Sequence, residues 1–181
     1  YLRATGWVAS DYFQALARAE CDLAICYWPV GRCDLDIDTS ACTYRVIGHE
    51  RLIPMTGLKA DGTPCAQLPG TRQQPVPWLA YPKRGLLGSA VKAHLARLPQ
   101  STYLTAQSEN LYAAGIKELV LLGYGMSWLP ERNVAAELAN GTLVLSHHPS
   151  TRLDLPFVVV MWPTALFFLL LYATGIPLLF W

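Results

Sequence analysis

The sequence predicts an α/β protein in which strands alternate with helices, joined by right-handed crossovers into a mainly parallel sheet. Short apolar runs alternate with amphipathic stretches of about ten residues, and most of those stretches end at a recognisable stop signal. The composition supports a real core: 52% of the 181 residues are hydrophobic and the net charge is +1, which excludes disorder. A chain of this length buries roughly 70% of its unfolded surface, so it needs no metal or disulfide staple. With 14 basic and 13 acidic side chains, a strongly basic nucleic-acid surface is excluded. All 27 of these charges lie at or before Asp154, and the last 27 residues carry none.

The elements follow in order. Ser10 is placed to cap a helix running to Ala19, with Phe13, Leu16 and Ala17 on one face. Leu23 to Trp28 reads as a buried strand, and Tyr44 to Gly48 and Arg51 to Met55 as two more. Between Gly57 and Pro77 the glycines and prolines predict irregular chain. Trp78 to Tyr81 is a strand, Pro82 to Gly85 a turn, and Leu86 to Leu98 a helix with Ala90, Val91, Leu95 and Leu98 as its stripe, stopped by Pro99. Thr102 to Ala106 is a strand. Ser108 is placed to cap the next helix, whose Leu111, Tyr112, Ile116, Leu119 and Val120 keep the 3.6 period and whose C′ glycine is Gly123. Met126 to Leu129 is a strand, Glu131 to Ala139 a helix closed by Asn140-Gly141, and Thr142 to Leu145 and Phe157 to Trp162 are the last strands.

Metal and enzyme chemistry find little footing. The five cysteines (Cys21, Cys26, Cys33, Cys42, Cys65) are odd in number and form no CxxC pair, which fits a reducing compartment. The His147-His148 pair sits in a turn-like stretch and no HExxH occurs. Gly85-Leu86-Leu87-Gly88-Ser89 is no nucleophile elbow, and Gly123-Tyr124-Gly125 lacks the dinucleotide pattern. No catalytic group, metal or cofactor is expected.

Several stretches together resemble the effector-binding (substrate-binding) domain of LysR-type transcriptional regulators. The longest is Ala114 to Pro130, a helix followed by Gly123-Tyr124-Gly125 and Leu129-Pro130. Glu137-Leu138 with Gly141-Thr142-Leu143-Val144 matches the pattern that follows it in the family. Phe13 to Leu16 leading into Asp22-Leu23-Ala24-Ile25 matches the family's early segment, and Arg45 to Pro54 resembles the strand that crosses between lobes. Together they span most of Ser10 to Trp162. Pro77 to Tyr81 and Gly125 to Pro130 are similar to the hypochlorite-responsive branch, which is said to sense oxidant through methionine. Met55, Met126 and Met161 are the candidates, and burial in the core is the commoner role for such a residue.

This resemblance implies a two-lobe periplasmic-binding-protein-like (type 2) α/β fold, incomplete at the N-terminus. Lobe one would comprise residues 1–52 and 146–164, lobe two residues 53–145, with residues 165–181 as an apolar tail. The family's helix-turn-helix would precede Tyr1. Its absence from these residues, and the apolar Ala165 to Trp181 where the family carries a charged helix, suggest a truncated or frame-shifted gene. The expected function is effector sensing in the cytoplasm, without catalysis. DNA would be engaged only through the missing N-terminal domain, and the intact regulator would act as a homo-oligomer. A periplasmic-type solute-binding module is the alternative, followed by a protein anchored in a membrane through the tail. The tail's 17 residues, broken by Gly175 and Pro177, fall short of the ~20 a spanning helix needs.

In open α/β folds ligands bind at the carboxyl ends of strands, beside helix N-termini. Lys83 and Arg84 are candidates for an acidic group at the turn before the helix from Leu86. Tyr81, Ser108, Tyr124 and Met126 end strands or turns of lobe two. Thr5 and Tyr27 face them from lobe one, with Trp7 and Trp28 as an aromatic wall or as core.

Overall fold

The computed structural model describes residues 8–28, 42–98, 101–146 and 152–161. Its elements are α1 (Ala9–Ala17), β1 (Leu23–Tyr27), β2 (Thr43–Gly57), β3 (Val76–Ala80), α2 (Leu86–Leu95), β4 (Leu104–Glu109), α3 (Ala113–Leu121), β5 (Met126–Pro130), a 3-10 turn (Glu131–Val134), α4 (Ala135–Asn140), β6 (Leu143–Leu145) and β7 (Leu153–Met161). The strands form one sheet in the order β1-β7-β2-β5-β3-β4, with β6 also pairing with β2.

The fold is α/β, as the alternation of patterns requires, but the sheet is mixed. Only β3 with β4 and β3 with β5 run parallel; β1 with β7, β7 with β2, and β2 with both β5 and β6 run antiparallel. The expectation of a mainly parallel sheet fails because β2 is one strand of 15 residues rather than two short ones. Its first half pairs with β7 from Thr43 to Leu52, and its second half pairs with β5 from Leu52 to Thr56. Between Val46 and Gly48 the register slips. Gly48 therefore serves an irregularity within a continuous strand, not a turn between two strands. β7 likewise begins earlier than its apolar run, because Leu153 to Pro156 complete the ladder opposite residues 49–52.

Two apolar clusters flank this long strand. The larger gathers Leu52, Ile53, Met55, Leu79, Val91, Ile116, Val120, Met126, Trp128, Leu129, Leu143 and Leu155 around β3, β5 and helices α2 and α3. Ser127 Oγ donates to the Leu79 carbonyl at 2.7 Å inside it, so the buried hydroxyl is satisfied. The smaller cluster joins Phe13, Leu16, Ala24, Cys26, Trp28, Val158 and Val160, with Leu86 reaching in from α2. Trp28 meets Phe13 and Tyr44 edge-on, with ring centroids 5.1 and 5.2 Å away. It is a core residue here.

Local differences from the sequence reading have physical causes. Val8, not Ser10, opens α1: Asp11 Oδ2 accepts from the Val8 N–H at 3.1 Å, and Ala15 rather than Ala17 completes the buried face. β1 alternates in burial, with Leu23 and Ile25 exposed, because only one of its faces packs on α1. Ser108 caps no helix; it lies within β4, opposite Leu79. α3 starts at Ala113 after an Asn110 side chain accepts from the Tyr112 N–H at 2.9 Å. β4 spans Leu104–Glu109 rather than Thr102 to Ala106; with one parallel neighbour and mostly exposed side chains, it shows no apolar alternation to mark its bounds. The 57–77 loop is irregular yet anchored: Ala66 N donates to Thr56 Oγ1 and Ser146 Oγ donates to the Ala66 carbonyl. Gly123 does end α3, at φ +80°.

Candidate functional site

The carboxyl ends of β1 and β3 and the links into α2 and α3 converge on one cleft of about 240 Å³. β1 contributes Ile25, Cys26 and Tyr27; β7 contributes Phe157 behind them. Tyr27 and Phe157 pack with their rings tilted by 41° and the centroids 5.0 Å apart. Across the gap stand Tyr81 and Pro82, then Gly85 to Gly88 of the first turn of α2, and Leu111 and Tyr112 ahead of α3. Tyr12 of α1 closes one side.

The sequence explains this convergence. β3 ends at Ala80 and is followed by Tyr81-Pro82, whose proline offers no N–H to continue the ladder. Gly85 N donates to the Pro82 carbonyl at 2.8 Å, and Ser89 N to the Gly85 carbonyl at 2.9 Å, so the chain turns at once into α2. Gly88 makes the turn possible: a Cβ there would lie 2.1 Å from the Pro82 oxygen. The first amides of α2 have no intrahelical acceptor and no capping side chain stands in front of them.

The cleft is apolar with a few polar points. The Tyr81 side chain is 3% exposed, and its hydroxyl is buried without a hydrogen-bond partner. Burial, and secondarily Tyr27, raise its pKa above the ordinary phenol value. Tyr27 is also raised, first by burial and then by the Glu50 carboxylate, with Arg132 opposing. The Cys26 thiol is pushed up to about 12 by burial, so it stays a neutral thiol at physiological pH. Among the described residues the lining has hydrogen-bond donors and aromatic faces but no nucleophile with a base and an orienter, an arrangement suited to binding. Among the described residues no group of three or more His, Cys, Asp or Glu side chains could hold a metal ion.

Of the residues expected at the site, the structure brings Tyr27 and Tyr81 together on this lining. Lys83 and Arg84 are exposed in the turn between lining residues Pro82 and Gly85 and do not themselves line the cleft. Ser108 is half-buried in β4, and Tyr124, 62% exposed, points away into solvent after α3. Met126 is fully buried in the larger core, paired with Thr56 across the ladder, and so is unavailable to a ligand. Thr5 lies outside the described residues, as do Trp7, Cys33, the His147-His148 pair and residues 165–181. The reading missed Tyr12, Leu111, Tyr112 and Phe157. Tyr12 and Tyr112 each neighbour a core-facing position on a helix or its entrance, and the periodicity that marked the core carried no sign of a second, cleft-facing role.

A sequence profile of the LysR substrate binding domain matches residues 7–165. No curated protein gives a significant match. Among solved structures the chain is similar to the apo regulatory domain of HypT from Salmonella typhimurium. There the TM-score is 0.73 and the identity 17%, over 93% of this chain and 80% of that one. It is also similar to full-length HypT, a hypochlorite-specific LysR-type transcriptional regulator, with TM-score 0.71, 18% identity, 87% of this chain and 51% of that one. Vibrio fischeri DarR in complex with DNA follows at TM-score 0.64 and 22% identity, covering 84% of this chain and 50% of that one. The chain thus spans about half the length of the full-length regulators. At these identities the likeness concerns the fold. Among the described residues no helix is long and apolar enough to cross a membrane.

Proposed function

The chain belongs to the family of LysR substrate-binding domains, and from that premise we propose that it is the effector-sensing part of a transcriptional regulator. One observation carries the reading to this site. The cleft lies where the two apolar clusters meet, and Leu86 of α2 both lines it and packs in the smaller cluster. With residues 1–52 and 146–164 as lobe one and residues 53–145 as lobe two, the smaller cluster draws mainly on lobe one and the larger mainly on lobe two, while Leu52 and Leu155 join the larger and Leu86 the smaller across that boundary. A ligand touching both lobes shifts their relative geometry by its differential affinity for the two arrangements. DNA binding belongs to a helix-turn-helix domain outside these residues, in a cytoplasmic homo-oligomer, and the chain performs no catalysis.

The effector is a small molecule with an apolar body and one hydrogen-bonding end. The body packs against Tyr27, Phe157 and Leu111; the polar end takes the Tyr81 hydroxyl and the free amides at the start of α2. Lys83 and Arg84 sit at the rim, where exposed charge steers an acidic ligand and is screened by salt. A methionine-based oxidant response would fall to Met161, since Met55 and Met126 are sealed in the core. Thermal-shift screening of weak acids with apolar bodies tests the reading. A ligand at a hundred times its Kd stabilises by about 2.7 kcal/mol, and Leu111→Glu should abolish that shift. Binding that is indifferent to Leu111→Glu and Tyr81→Phe would place the effector elsewhere.

A further inference from the structure

Helix α2 serves two cavities. Its first turn walls the effector cleft. Further along, Ala90, Ala93 and His94, with Arg97 just past the end of the helix, line a second cavity of about 220 Å³. The other wall is Arg152, Leu153 and Asp154, where the chain enters β7. The two alanines leave the floor open. Two guanidinium groups stand against one carboxylate, so the cavity is cationic before His94 is counted.

Arg152 Nε is buried and has no hydrogen-bond partner among the described residues. Arginine carries five donors and no acceptor, and a buried donor of this kind is costly when unpaired. Arg97 lines the same cavity just past the end of α2.

We propose that this cavity is a second binding site, separate from the effector cleft, and that it takes a small oxyanion of the phosphate type. Arg97 and Arg152 supply the planar donor forks that match oxyanion geometry. Asp154 sets the choice among anions. Its carboxylate repels a fully ionised oxyanion such as sulfate, but it accepts a hydrogen bond from the protonated oxygen that phosphate keeps near neutral pH. An occupied site ties α2, whose first turn lines the effector cleft, to the start of β7.

The test is a titration of the full chain with inorganic phosphate, sulfate and potassium chloride at matched ionic strength, read by amide chemical shifts. Phosphate should saturate, with changes centred on residues 90–97 and 152–154, and should outbind sulfate at least tenfold. Arg97→Ala and Arg152→Ala should each weaken phosphate about tenfold. Asp154→Asn should abolish the preference over sulfate. Arg152→Lys keeps the charge and should retain part of the affinity even if Arg152→Ala does not fold. Equal shifts with potassium chloride, or phosphate affinity that survives both arginine substitutions, would overturn the proposal. Shifts centred on residues 81–88 would also overturn it, and would assign the phosphate to the effector cleft instead.

Discussion

Tyr81 shows how one side chain separates stability from function. Its hydroxyl is buried without a partner, and an unsatisfied buried polar group costs about 1–3 kcal/mol. Tyr81→Phe should therefore leave the empty domain as stable or raise it by about 1 kcal/mol in urea unfolding. The same change should weaken the effector, whose polar end loses its donor. A loss of stability on Tyr81→Phe would mean the hydroxyl is satisfied in the free protein. Gly88 makes the opposite case. Alanine gains about 1 kcal/mol of helix propensity over glycine, but its Cβ would meet the Pro82 oxygen at 2.1 Å. That oxygen belongs to backbone and cannot move aside cheaply, so the steric term wins. Gly88→Ala should lower the thermal midpoint and abolish effector binding, because the Tyr81-Pro82 wall must shift.

Among the elements, β2 holds the clusters together and the helices are tied by charge. Arg51 and Glu131 pair at 2.6 Å, and Glu50 and Arg132 at 3.6 Å, where β2 passes the 3-10 turn. Arg132 is 78% exposed, so its pair contributes about 1 kcal/mol at most. The bridge between α3 and α4 is better shielded: Lys117 Nζ lies 2.8 Å from Glu137 Oε1. The hydrogen bond from Lys117 holds the Glu137 carboxyl below its usual range. A carboxyl depressed in the folded state stabilises above its unfolded value of about 4.3 and loses that contribution as pH falls through the folded value. Unfolding curves should therefore show the native chain losing stability between about pH 5 and pH 3 more steeply than Lys117→Met. Parallel slopes would show that the bridge carries no stability. These elements were only partly legible. Helices α2 and α3 stood out because Val91, Ile116 and Val120 recur at helical spacing against one core. β4 did not, because an exposed edge strand satisfies its backbone through a single neighbour and needs no apolar signal.

At the scale of the whole molecule, charge and apolarity divide the chain at Asp154 and again near Thr164. Ala165 to Trp181 has Thr174, Gly175 and Pro177 as its only non-apolar residues apart from the tyrosine hydroxyl, so it offers no polar face at helical spacing. Deleting it should raise the soluble yield and leave the thermal midpoint unchanged. A deletion that unfolds the domain would make the segment part of the core, and carbonate-resistant partition of the full chain into membranes would make it an anchor.

The sequence by itself determined the α/β class, the order of most elements, the turn glycines and the family. Each of these rests on short-range information: residue period, stop signals, and fragments such as Ala114 to Pro130 in fixed order. Tertiary structure alone decided strand direction and the lining of the cleft. Nothing local marks Thr43 to Gly57 as one strand serving three antiparallel neighbours, because pairing partners up to 118 residues away set its extent. Nothing local distinguishes Tyr81 in the cleft from Met126 in the core, since one directly follows and the other begins an apolar strand. Whether a side chain meets a cavity or a core depends on what packs opposite it, and that is a property of the assembled sheet.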